Sequence, residues 1–118
     1  MSLNFENKYG TVSVNDDIIA HIAGVAVNEC KDVVGLASKN VKDGFVQLLK
    51  SDKLSKGVKI KISDDVLDID VHIIIAYGTK ITDAADFIIG RVKYRAEEFT
   101  GIIVNKVNVF VEGIYMEG

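Results

Sequence analysis

The sequence has no tryptophan, no proline, one cysteine and only two histidines. The missing tryptophan and proline exclude little. The lone Cys30 excludes an intrachain disulfide and fits a reducing cytoplasm, and its place in an apolar helical stretch reads as core. With His21 and His72 the only imidazoles, there is little material for a proton-transfer site. Long apolar runs are missing too. The longest, Ile73-Ile74-Ile75-Ala76-Tyr77, is far shorter than the roughly 20 residues of a transmembrane helix. No basic-then-apolar leader opens the chain, so any membrane association is expected to be peripheral or through a partner.

Ligand motifs are equally sparse. No glycine-rich phosphate loop of the P-loop or dinucleotide type occurs, and no two glycines stand three apart, as the clamp of a K-homology RNA domain requires. Asp64, Asp65, Asp68 and Asp70 form a local acidic cluster, but the spacing lacks the alternating ligands, central Gly and distal Glu of a calcium loop. A solvated sheet face is the plainer reading, and neither a metal nor a cofactor is expected. His21 follows Asp17 by four residues, the spacing of a surface pair on a helix. His72 shares a strand face with Asp68 and Asp70, where local charge balance accounts for it. Cys30 lies nine residues from His21, nearly on the opposite side of a helix, so the two cannot form a dyad there. These readings point to a protein that is not an enzyme.

A formal net charge of -3 disfavours a general nucleic-acid binder, although a local basic patch can still meet a phosphate backbone. Arg91, Lys93, Tyr94 and Arg95 give one helix a basic and aromatic touch, but Glu97 and Glu98 follow at once. That face reads as solvated, which keeps an RNA-binding or small-molecule-binding module as the weaker alternative. At 118 residues the chain fits one domain that buries roughly two thirds of its unfolded surface. Residues 1–8 read as an N-terminal extension, with both chain ends compatible with a cloning origin, and residues 9–116 as a single α+β domain.

Gly10 to Val14 has strand composition, and Asn15 offers an N-cap for a helix from about Asp16 to Cys30, with Asp16 and Asp17 beside its positive end. Ile18, Ile22 and Val25 share one face, widened by Ile19, Ala23, Ala26 and Cys30. The stripe left over, Asp17, His21, Gly24 and Asn28, is so narrow that the helix is expected to be covered on most sides. Val33 to Ala37 is a short strand candidate. From Ser38 to Lys56 the composition turns basic, and Val41, Phe45 and Leu48 or Leu49 recur at helical spacing, which predicts a short amphipathic helix.

The next segment predicts its own pairing. With Val58 to Ile62 folded back on Leu67 to Val71 around Asp64-Asp65, Ile62 faces Leu67, Ile60 faces Ile69 and Val58 faces Val71. On the other side of the pleat Lys61 meets Asp68 and Lys59 meets Asp70, so both faces select one register. Tyr77-Gly78 ends the strand. Thr79 or Thr82 is then expected to cap a long helix carrying the stripe Ile81, Ala85, Ile88, Val92, Ala96 and Phe99, stopped at Thr100-Gly101. In the last strand Val107, Val109 and Val111 alternate with Asn108, Phe110 and Glu112. The order β-α-β-(α)-β-β-α-β suggests a mixed sheet with its two main helices packed on one face.

Several of these segments, in this order, resemble the alkaline shock protein family of Gram-positive bacteria. They are Tyr9-Gly10-Thr11-Val12, Asp17-Ile18-Ile19-Ala20-His21-Ile22-Ala23-Gly24, Val33-Val34-Gly35-Leu36, Leu67-Asp68-Ile69-Asp70-Val71-His72-Ile73, Tyr77-Gly78, Val92-Lys93, Thr100-Gly101 and Val107 to Ile114. The resemblance runs from Tyr9 to Ile114. It implies a cytoplasmic, non-enzymatic protein, tied to the inner face of the membrane through an integral-membrane partner and serving the envelope stress response. Some members are connected with control of membrane lipid synthesis, which implies a regulator of a lipid (fatty acid) synthesis enzyme as the alternative. The family brings no catalytic residues to carry over.

Without catalytic groups, function would rest on surface complementarity with itself or a membrane-anchored partner, apolar anchors supplying affinity and charges specificity. The candidate contacts are Val41, Phe45 and Leu49 with Lys42, Lys50 and Lys53, a segment that an anionic membrane surface would also attract weakly, and Phe110 on the exposed side of the final strand.

Overall fold

The structure, a computed structural model, describes residues 2–37, 56–63 and 65–116. Strands β1 (Ser2–Asn7) and β2 (Gly10–Asn15) form an antiparallel hairpin of their own. The sequence pattern predicts no element here, and β1 falls within residues 1–8, read above as an N-terminal extension. Helix α1 (Asp16–Asn28) follows directly. Its N-cap is Asn15, whose side-chain oxygen accepts from the backbone N–H of Asp17 at 2.9 Å, so one orphan donor of the first turn is satisfied as the sequence predicted.

A second sheet is built around the long central strand β5 (Val66–Ala76). Strands β3 (Val33–Leu36) and β4 (Val58–Ser63) both pair antiparallel to it, β4 along Val66 to Val71 and β3 along Ile73 to Ile75. The β4–β5 register is the one that the alternating pattern selects, with Val58 opposite Val71, Ile60 opposite Ile69 and Ile62 opposite Leu67. Helix α2 (Ile81–Thr100) then crosses over, and β6 (Ile103–Tyr115) returns parallel to β5. The sheet is therefore mixed, as expected.

Odd-numbered residues of β5 point to the helices. Leu67, Ile69, Val71, Ile73 and Ile75 are all but fully buried, in one core with Ile19, Ala23 and Val27 of α1 and Ile88, Val92 and Ala96 of α2. Each large aliphatic side chain removed from water there contributes about 1.5–3 kcal/mol before chain entropy is counted. Cys30 joins this core, and burial pushes its thiol above the ordinary value.

Three local expectations need correction. Ile18 and Val25 of α1 are 48% and 45% exposed. The helix turns Ile19, Ala20, Ala23, Ala26 and Val27 inward instead, because a helix apolar over most of its circumference does not fix which arc meets the sheet. The N-cap of α2 is Lys80, which makes no side-chain cap bond, and not a threonine. Its buried stripe is Ala84, Ile88, Val92 and Ala96, while Ile81 and Phe99, in phase with the core, lie beyond its ends and are 47% and 67% exposed. The stop is as expected: Gly101 takes the left-handed conformation at φ 73° and donates to the Glu97 carbonyl at 2.8 Å, where a side chain would be strained.

Candidate interaction surface

Pleating sends the even-numbered residues of β5 away from the helices, and this second face of the sheet carries Asp68, Asp70 and His72 with Asn108 and Phe110 of β6. Asp68 and Asp70 sit beside Lys61 and Lys59 in register. Their carboxylates accept hydrogen bonds from the other neighbour, however: Asn105 donates to Asp68 at 3.0 Å and Asn108 to Asp70 at 2.8 Å. The expected lysine pairs are opposite one another, but among the described residues they do not close an ion pair. A shorter amide from the parallel strand takes the carboxylate while the lysine heads remain in water.

One step up β5, His72 stacks on Phe110 of β6, ring centroids 4.9 Å apart and planes 15° from parallel. Its Nδ1 is buried, makes no hydrogen bond and lies 3.8 Å from the Glu112 carboxylate. The acidic neighbour of His72 is thus Glu112 of β6, while the aspartates of its own strand are bonded to Asn105 and Asn108. Phe110 keeps 43% of its surface exposed, so the sequence-predicted contact residue does stand on an accessible face. Above this pair lies a hollow of about 560 Å³ lined by Val34, Ala76, Tyr77, Tyr115 and Met116. An extra residue in β3 between Val33 and Gly35 places Val34 there, and the Tyr77 N–H donates to the Tyr115 carbonyl at 2.8 Å to hold the rim. The sequence signalled none of these neighbours, because they meet only through the β5–β6 pairing and a bulge.

The other expected contacts, Val41, Phe45, Leu49, Lys42, Lys50 and Lys53, lie outside the described residues. The flanking chain is placed: Ala37 donates to the His72 carbonyl at 2.9 Å and Val58 pairs with Val71, both along the same edge of β5. On the helical side, Arg91 and Arg95 of the basic patch both bond to Glu29, which leaves Lys93 exposed with Tyr94. His21 is exposed on α1 beside Ile22, Val25, Glu29 and Arg95, whereas Cys30 is buried in the core. Among the described residues, no three His, Cys, Asp or Glu side chains converge as a metal site would require, and no helix is long and apolar enough to cross a membrane.

The chain matches a family profile over residues 4–116, that of the alkaline shock protein 23 family, described by a cell envelope-related function. It is similar to Uncharacterized protein YloU of Bacillus subtilis (strain 168), 37% identical over 115 residues, which are 97% of this chain and 96% of the relative. Uncharacterized protein Spy1614 of Streptococcus pyogenes serotype M6 is 36% identical over 119 residues, 100% of this chain and 98% of that one. Uncharacterized protein YqhY of Bacillus subtilis (strain 168) is 27% identical over 108 residues, 92% of this chain and 79% of the relative. No solved structure matches the chain significantly.

Proposed function

The chain belongs to the alkaline shock protein 23 family, whose function is cell envelope-related, and from that premise we propose that it is a non-enzymatic scaffold of the envelope stress response. It acts by self-association and by binding an integral-membrane protein that holds it at the inner face of the membrane. The observation carrying this reading is the face of the sheet turned away from α1 and α2, where exposed Phe110 lies against His72 beside the aromatic hollow of Tyr77 and Tyr115. Large aromatic side chains on a rigid strand, rimmed by Lys59, Lys61 and Lys106 with Asp68 and Asp70, have the composition of a protein-binding patch: aromatic anchors within a charged rim.

The discriminating experiment is co-purification from detergent-solubilised membranes with wild-type protein and with Phe110→Ser, each bait checked for native melting. Recovery of one integral-membrane protein by the wild type, its loss with Phe110→Ser, and binding of the purified pair are expected. Recovery of a soluble lipid-synthesis enzyme in its place would replace the scaffold with a regulator. Retention of function after His21→Ala, an exposed residue of α1, is also expected, and complete loss in a folded variant would argue for catalysis.

A further inference from the structure

Strand β6 pairs with β5 along one edge, and among the described residues its other edge pairs with nothing. The opposite edge of β5 is taken by β3 and β4. Strand β6 is 13 residues long, and an unpaired edge of that length is a template for another strand.

The two irregularities of β6 give this edge an internal symmetry. Asn105 is an extra residue between Val104 and Lys106, and Glu112 is an extra residue between Val111 and Gly113. Following the pairing to β5, Val104, Val107, Val109, Val111 and Ile114 align with the helix-facing residues Leu67, Ile69, Val71, Ile73 and Ile75. Lys106, Asn108, Phe110, Gly113 and Tyr115 align with the residues of the other face, and Glu112 joins them beside His72. Asn105 bonds to Asp68 on that same face. The sequence of faces therefore reads the same in both directions about Val109, with the doubled positions Asn105-Lys106 and Glu112-Gly113 mirroring one another.

A two-fold antiparallel contact between identical strands requires that symmetry, because each residue meets its mirror position on the second chain. Centred on Val109, Val107 meets Val111, Val104 meets Ile114 and Ile103 meets Tyr115. Lys106 meets Glu112, twice, with opposite charges. Shifting the centre by one residue either way breaks the match: at Asn108, Val104 would meet Glu112 and Asn105 would meet Val111; at Phe110, Lys106 would meet Ile114. The helix-facing side of this edge is also incompletely covered, Ile114 being 56% exposed.

From this symmetry we infer that the β6 edge binds β6 of a second copy of this chain, antiparallel about Val109, joining two sheets into one. The inference rests on the self-association proposed above and specifies its surface and register.

The test uses the whole protein in sedimentation equilibrium. Wild type is expected to dimerise. Lys106→Glu and Glu112→Lys each place like charges opposite one another at two symmetric positions and weaken the dimer roughly tenfold, and the double exchange restores it. Because Glu112 also neighbours His72, a second readout leaves the charges untouched. Val109→Cys places two thiols about 5 Å apart on the axis and forms a covalent dimer with oxidised glutathione, whereas Val107→Cys, facing Val111, does not. Native Cys30, 5% exposed in the core, makes wild type the blank. A wild type that stays monomeric overturns self-association itself. A dimer indifferent to the charge exchange, with equal crosslinking at both cysteine positions, overturns only the β6 register.

Discussion

Arg91 donates twice to one carboxylate oxygen of Glu29, from Nε at 3.1 Å and from a terminal nitrogen at 2.6 Å, tying the end of α1 to the middle of α2. Arg95 adds a third bond at 3.2 Å. The contact spans 62 positions of sequence and fixes how the two helices lie side by side on the sheet.

Its strength should depend on pH in one direction. The Arg91 hydrogen bond first, and that of Arg95 next, hold the Glu29 carboxyl below its usual range. A depressed folded-state pKa gives stability that is present above the unfolded value and is lost as pH falls through the folded one. Glu29→Ala is expected to melt slightly lower than wild type at pH 7, with the gap closing in acid below the carboxylate range. Thermal melts of both proteins at neutral and acid pH check it; a gap that widens in acid would contradict the pairing.

The cap of α1 is the next point of leverage. Asn15→Ala removes the acceptor for the Asp17 N–H and should cost about 1 kcal/mol. Thr82→Ala should stay within about 0.5 kcal/mol, since α2 has no side-chain cap. Urea unfolding of each variant, compared at unchanged slope, separates the two.

Position along the α2 stripe should decide the cost of truncation. Ile88 is completely buried, so Ile88→Ala is expected to lose about 2–5 kcal/mol. Phe99, in phase but 67% exposed, should lose within about 0.5 kcal/mol as Phe99→Ala. Equal losses would mean that the helix end is packed.

Just past Phe99, at the C-terminal stop of α2, Gly101→Ala forces a side chain into the left-handed region at φ 73°. A loss of about 1 kcal/mol in denaturant unfolding is expected. An unchanged midpoint would show that the turn relaxes freely.

The sequence by itself determined what adjacent residues can decide. The β4–β5 register was legible because a two-residue turn between Ser63 and Val66 leaves no slack, and the apolar and charged faces agree only in that alignment. The α1 cap and the α2 stop were legible because Asn15 and Gly101 supply locally what the helix ends require. Tertiary structure decided the rest. Alternation told which face Phe110 belongs to, but not that His72 would be its neighbour, since a parallel strand reached through a 20-residue helix has no local turn to set its register. Nor could it show the bulges at Asn105 and Glu112, which arise from how β6 fits β5 and which give its free edge its two-fold pattern. The same holds for α1: its apolar residues cover too much of the circumference to choose an arc, and packing against the sheet chose Ile19, Ala23 and Val27 over Ile18 and Val25.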